Sequence, residues 1–437
     1  MNDHLQTSQK LMDQLDQCMH CGFCLPSCPT YRQVGLETYN PRGRIALIKG
    51  VATEKLKLNA EFTKHIDACL GCRACETACP ANVAYGNLLE SAREFIVQSD
   101  QKSNWIQRFI LKHLFTHPHR LYTLGNLLWF VQKTGLQKLA KSFRLLNLLP
   151  SSLREMQEII DPVVSPFIRR KRKNLSPSSS HQRLLSVGLF TGCIMDIFFY
   201  QTNQATARLL TSLGCNVVFI KRQGCCGALH LHAGYKSEAM QLAKRNIQAF
   251  EQSKVDLLVN NAGGCGLALK EYHHLFENDQ AWYQRAVHFV EHVRDIHEVL
   301  YELSPLPFKK SLNIRATYQD SCHLAHGQHI RKSPRQLLQQ IPGLEYIELE
   351  DADQCCGSAG IYNLTHFPMS MKILDEKMAY VHATNAQLIV TSNPGCLLQM
   401  KKGIIRSGLD KQMQAIHLVD LLDQLIFDGD NEIVDRI

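Results

Sequence analysis

The stretch CMHCGFCLPSCP, residues 18–29, places four cysteines within eleven residues of a 437-residue chain. A second copy, CLGCRACETACP, occupies residues 69–80, and both copies read C-x2-C-x2-C-x3-C-P. Three cysteines at this spacing wrap one tight loop around a [4Fe–4S] cluster, whereas the fourth lies too far along the chain and ligates the other cluster. The spacing therefore predicts two [4Fe–4S] clusters with crossed ligands: Cys18, Cys21, Cys24 and Cys79 for the first, and Cys28, Cys69, Cys72 and Cys75 for the second.

Zinc and disulfides are the alternative explanations for these cysteines. Structural zinc usually takes two ligand pairs separated by a longer loop. The first twenty residues contain no apolar stretch typical of a secretory signal, and no apolar run is long enough to span a membrane. We therefore expect a cytoplasmic, reducing location, where disulfides are rare. The count of seventeen cysteines is odd, so a complete set of disulfides is excluded as well.

The composition is that of an ordinary globular protein, with 45% hydrophobic and 20% charged residues. The chain contains no GxGxxG after a strand, no P-loop and no nucleophile elbow. The sequence therefore predicts no catalytic residue and no cofactor site other than the metal clusters.

Eight of the other nine cysteines form a longer internal repeat around two Cys-Cys-Gly (CCG) sequences. The gaps between cysteines are 31 and 38 residues in the first copy and 32 and 39 in the second. The repeat predicts a second type of site, at Cys193, Cys225, Cys226 and Cys265 in one copy and at Cys322, Cys355, Cys356 and Cys396 in the other. Cys215 lies outside every motif, and we expect it to be a small buried hydrophobic residue.

Short apolar runs precede the repeated cysteines and alternate with helical segments, for example LLSVGLF before Cys193 and VDLLV before Cys265. This alternation predicts βαβ units with parallel sheets. The cysteines would follow the carboxyl ends of the strands, where open α/β sheets bind ligands. A metal cluster, a redox-active thiol pair and a zinc site all stay open as the content of these modules.

Further polar residues lie beside the cysteines in sequence. Arg42 and Arg44 lie between the two ferredoxin-type motifs, where they would either hold positive charge near the clusters or be ordinary surface arginines. Four histidines near the CCG cysteines would either assist proton transfer or, as the favoured interpretation, be hydrogen-bonded or surface residues: His230, His232, His323 and His326.

The middle of the chain is strongly basic. Residues 101–183 contain fifteen basic and three acidic side chains, a charge of +12, whereas the whole chain carries +8. This segment includes Trp105, Trp129, the run RRKRK at 169–173 and the polar SPSSS at 176–180. Three interpretations compete: contact with an anionic membrane surface, docking on a partner subunit, and an ordinary solvated linker. Nucleic-acid binding is disfavoured because no recognition fold is evident.

The motifs together resemble those of glycolate oxidase (glycolate dehydrogenase) iron–sulfur subunits. The resemblance covers nearly the whole chain and rests on CMHCGFCLPSCPTY, NPRGRIALIKG, CLGCRACETACP, QGCCGALHLH, GGCGLALKEY and CCGSAGIYNLTH. CCG modules also occur in heterodisulfide reductase, anaerobic glycerol-3-phosphate dehydrogenase and lactate-utilisation subunits. Some of these relatives close each module with C-x-x-C, where this chain has Ala262 and Asn393 at the first position.

The resemblance implies an electron-transfer subunit without substrate chemistry of its own. FAD-bearing partner subunits would oxidise glycolate, and also D-lactate as an alternative, to the oxo acid. This chain would pass the electrons to a membrane quinone or another acceptor, at the cytoplasmic face of the inner membrane. The alternatives are a subunit acting on D-lactate, glycerol 3-phosphate or a heterodisulfide, and a cluster-based redox sensor. Two clusters in series favour electron transfer.

The predicted fold class is a multidomain α+β and α/β protein. We predict a helical two-cluster ferredoxin-like domain over residues 1–100 and a basic helical segment with a linker over 101–183. Two repeated α/β CCG modules with parallel sheets follow, over residues 184–305 and 306–437.

Overall fold

A computed structural model describes residues 9–99, 105–136, 154, 159–177 and 185–427. Parts of the basic middle, including residues 137–153 and the end of SPSSS, lie outside the described residues. The predicted fold class is confirmed: a helical N-terminal region precedes two parallel sheets. Among the described helices, none has the length and apolar composition needed to cross a bilayer.

The N-terminal region is built from short helices around an apolar core that includes Leu15, Ile48, Ile66 and Leu88. Asparagine caps begin two of the helices: Asn40 accepts a hydrogen bond from Gly43 N, and Asn59 accepts one from Phe62 N. A 3₁₀ helix, Glu37–Tyr39, precedes the first of these caps. The helices are α1 Gln9–Asp16, α2 Pro29–Val34, α3 Pro41–Ala52, α4 Ala60–Asp67, α5 Ala74–Thr77 and α6 Tyr85–Gln98.

The described part of the basic middle is helical and packs on the first sheet. It contains α7 Trp105–Phe109, a π-helix Ile110–Phe115, α8 Pro118–Lys133 and α9 Pro166–Arg170. Leu121 and Val163 share a buried apolar cluster with Ile197 of the first module. Leu175 forms an antiparallel bridge with Val217 at the sheet edge. The basic middle is therefore anchored to the first module on one side.

Two four-stranded parallel sheets follow, with the same topology. The first has the order β2-β1-β3-β4 and the second β6-β5-β7-β8. The register is also matched, since Val187 pairs with Val217 and Leu257, and Ala316 pairs with Tyr346 and Leu388. The strands are β1 Ser186–Leu189, β2 Asn216–Phe219, β3 Leu257–Asn260, β4 Val293–Asp295, β5 Arg315–Tyr318, β6 Glu345–Ile347, β7 Leu388–Thr391 and β8 Gln414–His417.

Helices cover the sheets, and we call each sheet with its helices a module. The first module has α10 Ile194–Phe198, α11 Tyr200–Ser212, α12 Ala228–His232, α13 Lys236–Ser253, α14 Gly263–Lys270, α15 Gln280–Glu291 and α16 Ile296–Glu302. The second has α17 Lys332–Gln339, α18 Tyr362–Thr365, α19 Phe367–Ala383, α20 Pro394–Arg406 and α21 Leu418–Ile426. A short 3₁₀ helix, Tyr272–Phe276, and a π-helix, His323–Gly327, complete the modules.

The two modules share one hydrophobic core. Val187 and Leu189 of the first sheet belong to the same buried cluster as Tyr318 and Val390 of the second. Cys215 is fully buried in this cluster, as predicted. The modules therefore form one packed unit, and this packing fixes the positions of their cysteines relative to each other.

Candidate metal centres

The two ferredoxin-type loops have the same unusual backbone. The residues two and four positions after the first cysteine adopt positive φ in both loops: His20 (55°) and Gly22 (89°) in one, Gly71 (67°) and Arg73 (62°) in the other. Such left-handed residues bend the chain tightly and allow backbone N–H groups to line an anion-binding concavity. In the second loop, Gly71 N donates to Cys69 Sγ at 3.4 Å.

The structure places thiols from both motifs around one cavity, which we call the outer site. Its walls include the predicted ligands Cys18, Cys21, Cys24 and Cys79, and also Cys75 and Tyr85. Cys21 is exposed and the other three predicted ligands are partly buried. The outer site therefore lies at the molecular surface.

A second cavity, the inner site, is lined by the other four thiols, Cys28, Cys69, Cys72 and Cys75, all of which are buried. Cys28 reaches this site because the chain turns into α2 at Pro29, immediately after it. Tyr85 lines both cavities, and its hydroxyl donates to Cys69 Sγ at 3.7 Å. The two sites are therefore direct neighbours.

The chemistry of these side chains fits iron–sulfur clusters. All the thiols are free cysteines, and burial raises the pKa values of Cys72 and Cys75 well above the usual range. A buried thiolate needs compensating positive charge, which metal coordination supplies. The thiols are spaced around cavities and do not converge on the position of one ion. Among the described residues, no three Cys, His, Asp or Glu side chains are arranged to bind a single metal ion.

The two arginines between the motifs occupy different positions. Arg42 lines the outer site, donates to His20 O at 3.1 Å and pairs with Glu37 at 2.5 Å. Arg44 is fully buried at the inner site, where its Nε donates to His65 O at 2.9 Å and its Nη2 donates to Thr30 Oγ1 at 3.1 Å.

The remaining guanidinium nitrogen of Arg44, Nη1, is buried without a hydrogen-bond partner. Burial lowers the Arg44 pKa, but the nearby Cys69, Tyr85 and Cys28 groups outweigh it, so that the net pKa is raised. Arg44 therefore places a fixed positive charge beside the inner thiols.

Each module brings its four cysteines to the carboxyl end of its sheet, after three neighbouring strands. Three of the cysteines precede the next helix, and the fourth, Cys265 or Cys396, lies in the first turn of α14 or α20. In the first module, Cys193 Sγ lies 3.4 Å from Cys225 Sγ and Cys226 Sγ lies 3.3 Å from Cys265 Sγ. These distances exceed a disulfide bond of about 2.05 Å.

The second module repeats the arrangement: Cys355 contacts Cys322 and Cys356, and Cys356 contacts Cys396. Both sets lie beside the position where the strand order reverses, which is the ligand-binding edge of open parallel sheets.

The two positions that replace a cysteine differ in role. Asn393 Nδ2 donates to Cys396 Sγ at 3.5 Å, and its Oδ1 accepts from Gly264 N of the first module at 3.2 Å. Ala262 is buried and contributes only backbone and a methyl group. In this chain, Asn393 therefore adds a hydrogen bond to a thiol where some relatives have another sulfur.

The sites contact one another through shared apolar clusters. Leu70 and Cys72 of the inner site pack with Cys355 and Cys322 of the second module. Cys356 and Cys396 belong to a further cluster against which Cys265 of the first module packs. The four sites therefore form a continuous series: outer site, inner site, second module, first module.

The four histidines contact other parts of the chain, and His232 also lines a cavity beside Cys69. His323 Nε2 lies 3.0 Å from Gly71 O, and His230 Nε2 lies 2.9 Å from Leu111 O. His326 Nδ1 lies 2.9 Å from Thr77 Oγ1, and His232 lies 3.6 Å from Glu90. The favoured interpretation as hydrogen-bonded residues is confirmed for His230, His323 and His326, and all four histidines have partners in other parts of the chain.

The residues that dock the N-terminal region on the modules were missed by sequence reasoning. Arg73 forms a two-pronged ion pair with Glu271, and Arg93 donates to Cys69 O at 2.6 Å and to His232 O at 2.8 Å. Tyr362 OH donates to Ala68 O at 3.1 Å. The partners that join the N-terminal region to the modules lie from 139 to 294 positions apart in sequence, so no local sequence pattern indicates these contacts.

Three protein-family models match the chain. The "4Fe-4S dicluster domain" matches residues 14–83, the "Cysteine-rich domain" matches 187–270 and 316–401, and the "Glycolate oxidase iron-sulfur subunit, linker region" matches 102–160. These matches cover both cysteine motif types and the basic middle.

Several curated proteins are similar over most of the chain. The probable glycolate oxidase iron-sulfur subunit of Bacillus subtilis is 47% identical over 415 residues, covering 94% of this chain and 93% of that protein. The glycolate oxidase iron-sulfur subunit of Escherichia coli is 32% identical over 393 residues, covering 87% and 88%. Lactate utilization protein A of Geobacillus kaustophilus is 32% identical over 240 residues, covering 55% of this chain and 99% of that protein.

Proposed function

Because the chain belongs to the family of glycolate oxidase iron–sulfur subunits, we propose that it carries electrons in a glycolate-oxidising complex. Partner subunits bearing FAD oxidise glycolate to glyoxylate, and this chain passes the electrons on singly. The observation that carries the proposal is the unbroken contact of four cysteine sites, from the surface-exposed outer site to the first module. Redox centres placed close together in series allow electrons to pass from one centre to the next.

We propose the crossed ligand sets for the two [4Fe–4S] clusters. Cys18, Cys21, Cys24 and Cys79 hold one cluster, and Cys28, Cys69, Cys72 and Cys75 hold the other. The distribution of these thiols around two neighbouring cavities supports this assignment, although Cys75 lines both cavities. The matched thiol groups of the two modules support an additional iron–sulfur cluster in each, held by Cys193, Cys225, Cys226 and Cys265, and by Cys322, Cys355, Cys356 and Cys396.

The outer site is the proposed entry point for electrons from the flavin partner. Met19 and Phe23, in the loop around this site, are 67% and 66% exposed. Large apolar side chains at the surface are typical of protein contacts. A partner seated on this loop would bring its flavin near the exposed Cys21.

The basic middle is the proposed attachment to the cytoplasmic face of the membrane or to a membrane-bound complex. Eight of the fourteen large hydrophobic side chains recorded as exposed in the described residues lie between Phe109 and Ile168. They occur in the segment that carries the positive charge of the chain. An apolar surface within a basic region fits an anionic lipid surface.

The domain boundaries at residues 100, 183 and 305 stay a prediction.

Anaerobic iron and sulfide analysis with EPR tests the proposal. About eight irons per chain indicate two cubane clusters, and more indicate occupied modules. Glycolate added to the reconstituted complex should reduce the clusters within one turnover. Clusters that stay oxidised while the flavin is reduced would favour a sensor, and a strong preference for D-lactate would overturn the substrate assignment. The similarity to lactate utilization protein A makes D-lactate the second candidate.

A further inference from the structure

A cavity of about 830 Å³ lies between the two modules, on the side of the basic middle. Its walls come from α11, α20, β8, α21 and the segment that contains Asp161, Pro162 and Val164. Aromatic side chains form much of the lining: Phe198, Phe199, Tyr200 and Phe427. The volume and the mixture of apolar walls with a few polar groups are typical of small-molecule sites.

The charged groups of the cavity are paired, with one exception. Arg208 forms two hydrogen bonds to Asp423, at 2.9 and 2.5 Å, and Lys401 lies 2.7 Å from Asp161. Asp420 accepts a hydrogen bond from Thr202 at 2.8 Å, and the described residues provide it with no ion pair.

The environment of Asp420 moves the pKa of its carboxyl group close to neutral pH. Burial raises its pKa to about 7, Asp423 adds to the rise, and Thr202, Lys401 and Arg208 oppose it. His417, which also lines the cavity, has its pKa lowered to about 3 by burial and stays neutral. Asp420 is therefore able to give a proton to a bound ligand and to recover it from solvent.

The cavity lies next to the cysteines of the modules. Phe199 and Leu397 form part of its wall and also belong to the apolar cluster that contains Cys356 and Cys396. Phe198, a third wall residue, packs against the same cluster and, like Cys193, against the cluster of Leu121, Val163 and Ile197. The cavity wall and the cysteines of both modules therefore pack against shared clusters of side chains.

The cavity also adjoins the proposed membrane-facing surface. Asp161, Pro162 and Val164 line it, and the intervening Val163 packs with Leu121 of α8 and Ile197. Leu124 and Leu127 of the same helix are 50% and 58% exposed. A ligand that partitions into lipid would therefore find an apolar surface beside the cavity.

We propose that this cavity binds the ring of a membrane quinone and that Asp420 protonates the ring as it is reduced. The inference rests on the proposed electron-transfer function and names the acceptor site on this chain. The quinone takes two electrons, delivered singly by the iron–sulfur centres from the reduced flavin of the partner, and two protons. Asp420 supplies one proton to a quinone oxygen, solvent supplies the other and reprotonates Asp420, and the product is the quinol.

The test uses the reconstituted complex and a short-chain, water-soluble benzoquinone. Ala415→Phe fills the cavity from β8 and should weaken quinone binding at least tenfold in equilibrium dialysis, which requires no turnover. Asp420→Asn keeps the size and the contact with Thr202 but removes the proton. It should lower the ratio of quinone to ferricyanide reduction rates at least tenfold at pH 7, with kcat affected more than KM. Asp410→Asn, an exposed carboxylate in the same module, is the matched control.

The outcomes separate this inference from the proposed function. Unchanged quinone binding in Ala415→Phe, together with an unchanged rate ratio in Asp420→Asn, would overturn the acceptor site even if glycolate reduces the iron–sulfur centres. Centres that glycolate fails to reduce in the unsubstituted complex would overturn the proposed function, whereas the dialysis result would still decide whether the cavity binds quinone. Equal losses of quinone and ferricyanide reduction in Asp420→Asn would assign Asp420 a structural role and overturn its role as proton donor.

Discussion

At the residue scale, the two ferredoxin-type loops achieve the same backbone with different residues. Each loop places one glycine and one larger residue at positive φ, in opposite order: His20 then Gly22, and Gly71 then Arg73. A non-glycine residue in this region costs about 1 kcal/mol. Arg73 is held there by its ion pair with Glu271, so the strained position also docks the loop on the first module.

Paired serine substitutions test the crossed ligand sets. Cys21→Ser with Cys79→Ser should lose about four irons per chain, because both residues serve the outer cluster, whereas Cys21→Ser with Cys28→Ser should lose about eight. Iron analysis of anaerobically purified protein measures the difference. If each motif instead held its own cluster, the losses would be reversed.

Arg44 should tune the potential of the inner cluster. Arg44→Gln removes a buried positive charge beside Cys28 and Cys69 and should lower the midpoint potential on the order of 100 mV, because the reduced cluster carries more negative charge. An EPR-monitored redox titration measures this. Arg42→Gln is the matched control, since Arg42 lies at the outer site and is paired with Glu37. Equal shifts of both clusters in both variants would contradict the assignment.

At the element scale, α8 has two different faces. Leu121 and Gly125 are buried against the first module, and Gly125 lies so close to Ile197 that a Cβ there would come within 2.8 Å of the isoleucine side chain. The opposite face exposes Leu124, Leu127 and Phe130. Because one face contributes to the fold, deleting residues 105–150 would disturb the module as well as any attachment, and surface substitutions are the better test.

Leu124→Glu with Leu127→Glu should weaken binding to vesicles containing anionic phospholipid about a hundredfold. The two leucines together contribute about 3 kcal/mol when buried, and the added carboxylates are repelled by the lipid surface. Vesicle flotation measures the binding, and Leu56→Glu, 46% exposed in the N-terminal region, is the control. If vesicle binding is unchanged while co-purification of partner subunits is lost, this face is a protein interface instead.

At the scale of the whole molecule, one neutral histidine side chain, His417, helps to join the two modules. His417 Nε2 lies 3.0 Å from Asn261 O of the first module, so it donates, and its Nδ1 accepts from Val419 N at 3.2 Å. This pattern requires the neutral form with the proton on Nε2. Protonation of Nδ1 would break the bond from Val419 N and bury a charge in the shared core.

The module pair should therefore lose stability in mild acid. Burial lowers the pKa of His417 to about 3, against about 6.5 in the unfolded chain, so the unfolded state binds more protons between these values. Stability is unaffected above about pH 6.5 and falls by about 2 kcal/mol on going to pH 5. His417→Gln keeps a donor and an acceptor without titrating. The thermal midpoint of the His417→Gln variant should fall less between pH 7 and pH 5 than that of the unsubstituted protein. If the midpoints of both proteins fall equally with pH, the prediction is wrong.

The sequence by itself determined the cysteine groups, the repeat and the parallel sheets. Cysteine spacing is a short-range constraint, and alternating strands and helices leave a local periodicity that can be read without knowing the packing. It also indicated that Arg42 and Arg44 lie near the thiols, because both follow directly in the segment between the two motifs. It left open whether these arginines are buried, and what the histidines beside the CCG cysteines contact.

Only the tertiary structure decided the order in which the sites meet. The contact of Cys72 with the second module, the contact of Cys265 with the cluster of Cys396, and the cavity beside Asp420 all join residues from distant parts of the chain. Such contacts arise from close packing of side chains in a shared core. This packing produces no periodic pattern in the sequence from which the contacts could be predicted. The physical reason is that ligand spacing and strand period are properties of neighbouring residues, whereas proximity between sites is a property of the packed whole.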